Sequence, residues 1–248
     1  MSHLWYNVTM EFSRYNKKFD YSFTFGSYPT IELIKNRPTS VIKIITHSKL
    51  SGSNGFEIIH RLAGENKIKL NQNDRLIQKI SIKDNCFVAG VFKKYTMSLD
   101  GQSNHIVLVN PKDSGNLGTI ARSMLAFNFS DLAIITPAVD IFKPETIRAS
   151  MGAIFSLNIQ LFESFKKYKE FFPERNLYAF QTTGSENLSK IEFAKPASLV
   201  FGNESSGLEE LEKGFKTRVK IPQSDKVDSL NLAVSVGIAL NNVYSKGL

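Results

Sequence analysis

The chain has 248 residues, of which 42% are apolar and 22% charged, a balance that predicts one or two globular domains with a substantial core. It has no apolar run long enough to span a bilayer, no secretory signal pattern and a single cysteine, Cys86; together these features predict a cytoplasmic protein without membrane contact or disulfides. The net charge of +8 favours a polyanionic partner such as nucleic acid, although a lysine-rich surface that only maintains solubility explains the charge equally well.

The first 95 residues alternate short strands and helices, which predicts a small α/β domain. The predicted strands are Tyr21–Phe25, Val41–Thr46, Lys67–Leu70 and Cys86–Phe92. The predicted helices are Thr30–Asn36 with Thr30 as its cap, Gly55–Leu62 and Asn73–Ile80 with Asn73 as its cap. Residues 96–104 are mostly polar, and this composition predicts a linker to a second domain over residues 105–248.

The second domain repeats the alternation, which predicts a mostly parallel sheet covered by helices on both faces. Its predicted strands are His105–Val109, Leu132–Thr136, Leu157–Leu161, Leu177–Gln181, Leu199–Phe201 and Arg218–Ile221. Its predicted helices are Leu117–Phe127, Glu145–Ala149, Ser164–Phe172 and Ser229–Tyr244. The scattered histidines have neither a close pair nor a cysteine partner, so no metal site is predicted.

A polar turn and an amphipathic helix follow the first strand of this domain, with the sequence NPKDSGNLGTIARSMLAF over Asn110–Phe127. Arg122 falls at the edge of the apolar helix face, where a guanidinium can reach a phosphate or an anionic oxygen at the sheet edge. A solvated helix arginine after a glycine-shaped turn fits the same spacing. The turn has neither the glycine pattern of a dinucleotide site nor that of a phosphate loop.

A second polar turn, GNESSG over Gly202–Gly207, directly follows the strand Leu199–Phe201. Gly202 lets backbone approach a ligand closely, and Glu204 can accept a hydrogen bond or act as a base. An ordinary loop between a strand and a helix is an equally good interpretation.

The third stretch, IPQSDKVDSLNLAVSVGIAL over Ile221–Leu240, is a polar loop followed by a helix that is apolar nearly all round. Such a helix must be buried, either in the sheet layer or at a subunit interface. Asp228 or Ser229 is the predicted cap. Asn231, predicted to lie inside a buried helix where a polar group needs a partner, is the strongest functional signal.

In this order and spacing, the three stretches resemble the motifs of the SpoU (TrmH-type) branch of the SPOUT RNA methyltransferases. The matching patterns are N-x-x-x-x-G-N-x-G-x-x-x-R over Asn110–Arg122, L-V-x-G-x-E-x-x-G-L over Leu199–Leu208 and I-P…V-x-S-L-N-x-A-V over Ile221–Val234. IRASMGAIF over Ile147–Phe155 also resembles the family. The N-terminal residues more loosely resemble the substrate-binding domain often fused in front, which has the fold of small ribosomal RNA-binding proteins.

The resemblance implies a C-terminal α/β-knot methyltransferase domain, with a deep trefoil knot, preceded by a small α/β RNA-binding domain over residues 1–95. It also implies S-adenosyl-L-methionine as cofactor and a homodimer formed through the knotted domain. By motif position, the cofactor contacts fall at Thr182, Gly202, Ile221 and Leu230.

The reaction that the resemblance implies is methyl transfer to a ribose 2′-hydroxyl of structured RNA, with ribosomal RNA favoured over transfer RNA. Arg122 matches the catalytic arginine of the family. Because a guanidinium keeps its proton, we expect it to stabilise the developing oxyanion and bind the adjacent phosphate. Glu204, Ser229 and Asn231 match the motif carboxylate, serine and asparagine, and Asn116 is expected to orient the nucleotide.

Two other interpretations remain open at this point. One is a non-catalytic RNA-binding or assembly protein that keeps the methyltransferase fold. The other is methylation of a base instead of a ribose, which differs only in the acceptor atom.

Overall fold

A computed structural model of the chain describes residues 11–50, 52–82, 85–203, 207–208 and 215–247. The chain divides into two compact units. The first runs up to Lys94 and includes Phe142–Pro144; the second comprises Tyr95–Ile141 and Glu145–Leu248. Within the described ranges, no helix combines the length and apolar character needed to cross a bilayer.

The first unit is built on a four-stranded sheet. Its strands are β1 (Tyr21–Phe25), β2 (Val41–Thr46), β3 (Leu70–Gln72) and β4 (Val88–Lys93), and its helices are α1 (Ser27–Asn36), α2 (Asn54–Glu65) and α3 (Asp74–Ile80). The order across the sheet is β1-β4-β2-β3, with β4 antiparallel to both neighbours and β3 parallel to β2. The predicted bounds of β1 and β2 are confirmed.

Both faces of this sheet are covered, because successive strand residues point to opposite sides. Ile45 belongs to one core cluster, together with Phe12 from the segment that precedes β1 and with residues of α3. Ile44 belongs to the other cluster, which includes buried residues of α1 and α2. Two short hydrophobic cores therefore stabilise this unit.

Several predicted bounds in the first unit are wrong: α2 is Asn54–Glu65 instead of Gly55–Leu62, and β4 is Val88–Lys93 instead of Cys86–Phe92. Helix α1 begins at Ser27, so Thr30 lies inside it, where its hydroxyl donates to the Gly26 carbonyl at 2.8 Å. The cause is Pro29, which fits the first helical turn because its missing N–H would have no partner there. Strand β3 begins at Leu70 instead of Lys67, because Lys67 has a φ of 55° and turns the chain after α2.

The second unit contains a seven-stranded, wholly parallel sheet, which confirms the predicted α/β class. Its strands are β5 (His105–Val109), β6 (Asp131–Ile135), β7 (Asn158–Phe162), β8 (Asn176–Phe180), β9 (Glu186–Asn187), β10 (Ala197–Phe201) and β11 (Thr217–Lys220). Its helices are α4 (Ser114–Ala126), α5 (Pro144–Ala149), α6 (Phe165–Phe171) and α7 (Leu232–Ser245). The order is β7-β6-β5-β10-β8-β11-β9.

Residues 96–104, for which the sequence predicts a linker, pack against the second unit. Leu99 is buried in its core cluster. The Arg175 guanidinium donates to the carbonyls of Gly101 and Ser103 at 2.9 and 2.6 Å. Residues 96–104 therefore supply a buried leucine and two carbonyl acceptors for a buried arginine to the second unit.

A chain of buried hydrogen bonds continues from this arginine. Arg175 Nε donates to Ser198 Oγ at 2.7 Å, and the Ser198 and Tyr168 hydroxyls are 2.7 Å apart. His105 Nε2 lies 2.8 Å from the Asp100 carbonyl and must donate to it, so His105 Nδ1 accepts from the Tyr168 hydroxyl at 2.9 Å. Burial, with Arg175 nearby, lowers the pKa of His105 to about 4, and burial raises the pKa of Tyr168 to about 12. Both groups are therefore neutral at pH 7.

Helix α7 begins later than predicted, and this changes the role of Asn231. Asn231 is the cap, and its side-chain oxygen accepts from the backbone N–H groups of Ala233 and Val234 at 2.9 and 3.4 Å. Asparagine is among the best N-caps, so it ends the loop three residues beyond Asp228 and two beyond Ser229, the predicted caps. The prediction that Asn231 lies inside the helix is wrong.

Candidate active site

Three loops surround a cavity of about 450 Å³ at the carboxyl ends of β8, β10 and β11. This edge of a parallel sheet is where α/β proteins bind ligands, because the loops that leave neighbouring strands converge there. The size is that of a small-molecule site. The lining comes from the end of β8 and the turn after it (Phe180, Gln181, Thr182, Thr183), from the loop after β10 and from the loop between β11 and α7.

All four residues predicted to contact a cofactor line this cavity. Thr182 follows β8, Gly202 follows β10, Ile221 follows β11, and Leu230 precedes the cap of α7. Ser229 is part of the same lining. Residues up to 48 positions apart in sequence are thus brought to one site because their strands are neighbours in the sheet.

Gly202 is required by close backbone packing. A Cβ atom at this position would lie 2.0 Å from the carbonyl carbon and oxygen of Gly207. The Gly207 N–H donates to the Asn203 carbonyl at 3.1 Å and closes the loop, and the φ of 55° at Gly207 favours glycine. Glu204, the predicted motif carboxylate, lies outside the described residues.

The cavity combines an apolar wall with polar groups and one charge. The rings of Phe180 and Phe201 are stacked with centroids 4.4 Å apart and form part of the wall. Among the described lining residues, only Asp228 is charged. The site therefore suits a ligand with a flat apolar part, several hydrogen-bonding groups and a positive charge.

Asn116 and Asn231 meet beside this cavity. Asp113 caps α4 by accepting from the Asn116 N–H at 2.7 Å, which places Asn116 in the first turn of that helix. Asn231 Nδ2 donates to Asn116 Oδ1 at 3.1 Å. Because Leu230 and Leu232 on either side of Asn231 line the cavity, this amide pair joins the first motif to the cavity edge.

Arg122 does not line the cavity. It is exposed on α4, six residues beyond Asn116 and so about 9 Å further along the helix axis. The apolar face of α4 is buried as predicted, through Leu117, Ile120 and Met124. In the described part of the chain, Arg122 forms no hydrogen bond or ion pair.

Sequence reasoning missed the contribution of β8 apart from Thr182. Phe180 and Gln181 line the cavity without belonging to any of the three motif stretches. Ser235, which lies inside α7, also lines it. Phe180 and Gln181 lie at the end of a strand that neighbours β10, and this position would have identified them. It follows from the strand order, however, and local sequence pattern does not give the strand order.

A model of the SpoU rRNA Methylase family matches residues 103–241, which include all three motif stretches and the whole cavity. The chain belongs to the SpoU rRNA Methylase family. Among its SpoU relatives, an uncharacterized tRNA/rRNA methyltransferase of Synechocystis sp. is 33% identical over 138 residues, 54% of this chain and 50% of the relative. The tRNA (cytidine-2′-O-)-methyltransferase TrmJ of Methanocaldococcus jannaschii is 32% identical over 155 residues, 57% of this chain and 67% of the relative.

Similarity to solved SpoU structures extends over more of the chain. The crystal structure of an AdoMet-bound rRNA methyltransferase from Sinorhizobium meliloti has a TM-score of 0.78 and 25% identity, and covers 92% of this chain and 88% of that chain. In sequence, by contrast, the chain spans 50% and 67% of the lengths of the two curated relatives.

Proposed function

We propose that this protein transfers a methyl group from S-adenosyl-L-methionine to a ribose 2′-hydroxyl of structured RNA. The observation that carries the proposal is the cavity at the carboxyl edge of the sheet, which brings Gly202, Ile221 and Leu230 of the family motifs together. Membership of the SpoU family supports the reaction class, as do the activities named for its relatives.

The lining of the cavity fits this cofactor. An adenine ring matches the apolar wall formed by Phe180 and Phe201, and ribose hydroxyls match the polar backbone and side chains around Ser229. The cofactor has two positive groups, a sulfonium and an ammonium, and one carboxylate, so its net charge is positive. Asp228 supplies a negative charge on the protein side. We assign Thr182 and the three motif residues to its binding, chiefly through backbone groups.

The residues of this chain would align the hydroxyl and stabilise the charge that develops on it. Bound S-adenosyl-L-methionine would supply the methyl group, with the electrons of the broken carbon–sulfur bond staying on sulfur. As the new oxygen–carbon bond forms, the hydroxyl would give up its proton to a base, for which Glu204 is the candidate by motif position. We assign Arg122 to stabilising the resulting negative charge and to binding the adjacent phosphate, because a guanidinium carries fixed charge and several donors.

The amide pair of Asn116 and Asn231 is assigned to orienting the nucleotide, because it links the helix that carries Arg122 to the edge of the cavity. Ser229 is assigned to the same task from the cavity wall. Glu204 is assigned by motif position alone, to orienting Arg122 or accepting the hydroxyl proton.

We propose ribosomal RNA as the substrate in preference to transfer RNA. The Sinorhizobium meliloti structure, which resembles this chain over 92% of its length and thus over both units, is named an rRNA methyltransferase. We assign RNA binding to the first unit, since shape and phosphate contacts dominate the recognition of structured RNA.

The trefoil knot remains part of the proposal. Two observations support it. Helix α7 follows β11, which is separated from β5 by β10 and β8 in the strand order, yet α7 packs on α4, the helix that follows β5. In addition, Lys246 Nζ donates to the carbonyls of Ser189 and Ile191 at 3.2 and 2.7 Å. Both contacts are those expected if the final segment passes through the loops that precede it. Stretching a single molecule from its two ends should give a final length shorter than the full contour if a knot tightens.

We further propose a homodimer formed through α7. Val234 and Ile238 are 50% and 38% exposed and lie four residues apart, on one face of a helix whose other face packs on α4. A second copy would cover this apolar strip, which fits the expectation that so apolar a helix is buried.

A cytoplasmic location is also proposed, since the one cysteine, Cys86, is buried and unpaired.

The test is nucleoside analysis of RNA incubated with the purified protein and S-adenosyl-L-methionine. Unmodified ribosomal RNA and transfer RNA transcripts are supplied separately, digested, and examined by mass spectrometry. A 2′-O-methylnucleoside from ribosomal RNA is the expected result. A base-methylated nucleoside would contradict the assigned acceptor atom, and a protein that binds RNA but no cofactor would be the non-catalytic alternative.

A further inference from the structure

Two lysines of the first unit lie side by side without a carboxylate. Lys43 on β2 is followed by Ile44, whose N–H donates to the carbonyl of Lys69 at 3.0 Å, so Lys43 and Lys69 are neighbours across the parallel β2–β3 pair. Such neighbours lie about 4.8 Å apart and point to the same face. In the described residues, neither lysine forms an ion pair.

Burial and the neighbouring Lys69 raise the cost of the Lys43 charge, and a cation–π contact with Phe12 offsets part of that cost. The Lys43 ammonium lies 4.6 Å from the ring centroid of Phe12, which is 1% exposed and covers the same sheet face. Burial and the charge of Lys69 lower the pKa of Lys43. Two like charges held together by the strand register are a destabilising arrangement unless an anion lies between them.

The positive charge continues along this end of the sheet. Lys93 pairs with Tyr21 and lies two residues after Val91, the direct partner of Lys43, so it stands on the same face. Lys93 is exposed, and no ion pair involves it within the described ranges. The ion pairs of this unit involve other residues, for example Lys35 with Glu32 at 3.4 Å.

We propose that Lys43 and Lys69 together bind one backbone phosphate of the RNA substrate. Lys93 extends the contact along the RNA backbone. A backbone phosphate spreads one negative charge over two non-bridging oxygens, which a pair of ammonium groups can contact together. A row of three cations fits a polymer of phosphates better than a single anion. The inference rests on the proposed function, because it assigns the RNA partner to this unit. It adds which surface of the unit makes the contact.

The experiment measures RNA binding of the full chain as a function of salt, without cofactor, using an unmodified ribosomal RNA transcript. Lys43→Gln and Lys69→Gln are tested singly and together, with Lys35→Gln as the matched control, since Lys35 is an exposed lysine of the same unit that already has a carboxylate partner. The double variant should bind about tenfold more weakly near 0.1 M salt, and the slope of log affinity against log salt should fall by about 1. The Lys43→Arg/Lys69→Arg pair should restore both.

Binding by the double variant with wild-type affinity and slope would overturn the inference while leaving the proposed function intact. A wild-type chain that binds no RNA would overturn both. Polyglutamate that competes with RNA only when the two lysines are present would support an anion site, whereas polyglutamate bound more tightly than RNA would overturn the choice of RNA. The unfolding midpoint of Lys69→Gln should be no lower than that of wild type, because the substitution removes a repulsion at an exposed position.

Discussion

The side chains of Asn231 and Asn116, 115 residues apart in sequence, are joined by a hydrogen bond of 3.1 Å between Nδ2 and Oδ1. The oxygen of Asn231 caps α7, which fixes its nitrogen as the donor toward Asn116. One side chain therefore ends the cavity loop, starts the last helix and contacts the helix that carries Arg122.

Asn231→Asp separates the two tasks of this residue. An aspartate caps a helix as well as an asparagine does, but it cannot donate to Asn116. We expect the free energy of unfolding to change by less than about 1 kcal/mol while methyl transfer falls about tenfold or more. Asn231→Ala is the comparison, and it should also lose about 1 kcal/mol of stability. Unchanged activity in Asn231→Asp would show that the contact with Asn116 is dispensable.

Gly202→Ala should abolish cofactor binding. The added Cβ would overlap the backbone of Gly207 and force the loop at the cavity open. Gly64→Ala is the control: this helical glycine in α2 has nothing within 4 Å of an added Cβ, so stability should rise by about 0.5–1 kcal/mol. Calorimetry with S-adenosyl-L-methionine measures both variants. Wild-type affinity in Gly202→Ala would argue against a cofactor held at this loop.

Stability should fall below pH 6.5 because of His105. Its folded pKa of about 4 is lower than the usual histidine value of 6.5, so its contribution to stability is complete above pH 6.5, is lost as the pH falls, and stops changing below about pH 4. Across that window the loss is about 3 kcal/mol. The charged groups near the ring are Arg175, Asp100 and Asp131.

The measurement is denaturant unfolding from pH 7 to 4 of wild type against His105→Gln, so that carboxylates common to both cancel. The free energy of unfolding should depend less steeply on pH in the variant than in wild type, by the equivalent of about one proton. Equal slopes would mean that His105 is not held neutral in the folded chain.

Ile238→Glu should convert a dimer to a monomer, because it places a charge in the centre of the exposed strip on α7. Leu161→Glu is a suitable control, since Leu161 is 52% exposed on β7, at the opposite edge of the sheet from β9. Sedimentation measures the mass of each. A wild-type chain that sediments as a monomer would contradict the proposed interface, as would an Ile238→Glu variant that stays dimeric.

The sequence predicted those parts of the fold that local pattern decides. The run of β-branched residues over Val41–Thr46 gives a strand with those bounds, and Asn73 caps α3 as its residue type implies. The start of α7 was missed because two residues before Asn231 are also good caps, and the choice depends on Asn116, which is distant in sequence.

Within the site, the motifs predicted the loops but not the whole surface that they form. Phe180 and Gln181 reach the cavity only because β8 lies between β10 and β11. The buried chain from Arg175 to His105 could not be predicted either, since its members come from four separate segments of the chain and meet only through the strand order. Tertiary context decides such contacts.

Transfer of a labelled methyl group from S-adenosyl-L-methionine to ribosomal RNA, compared between wild type and Arg122→Ala, tests the central claim most directly. Arg122 is exposed and lies outside the cavity, so its removal should leave cofactor affinity within a few-fold and abolish label in the RNA. Arg122→Lys, which keeps a charge but loses the planar donor pair, should recover only a small part of the rate. Label incorporated by Arg122→Ala at the wild-type rate would contradict the claim, as would equal loss of methyl transfer and cofactor binding.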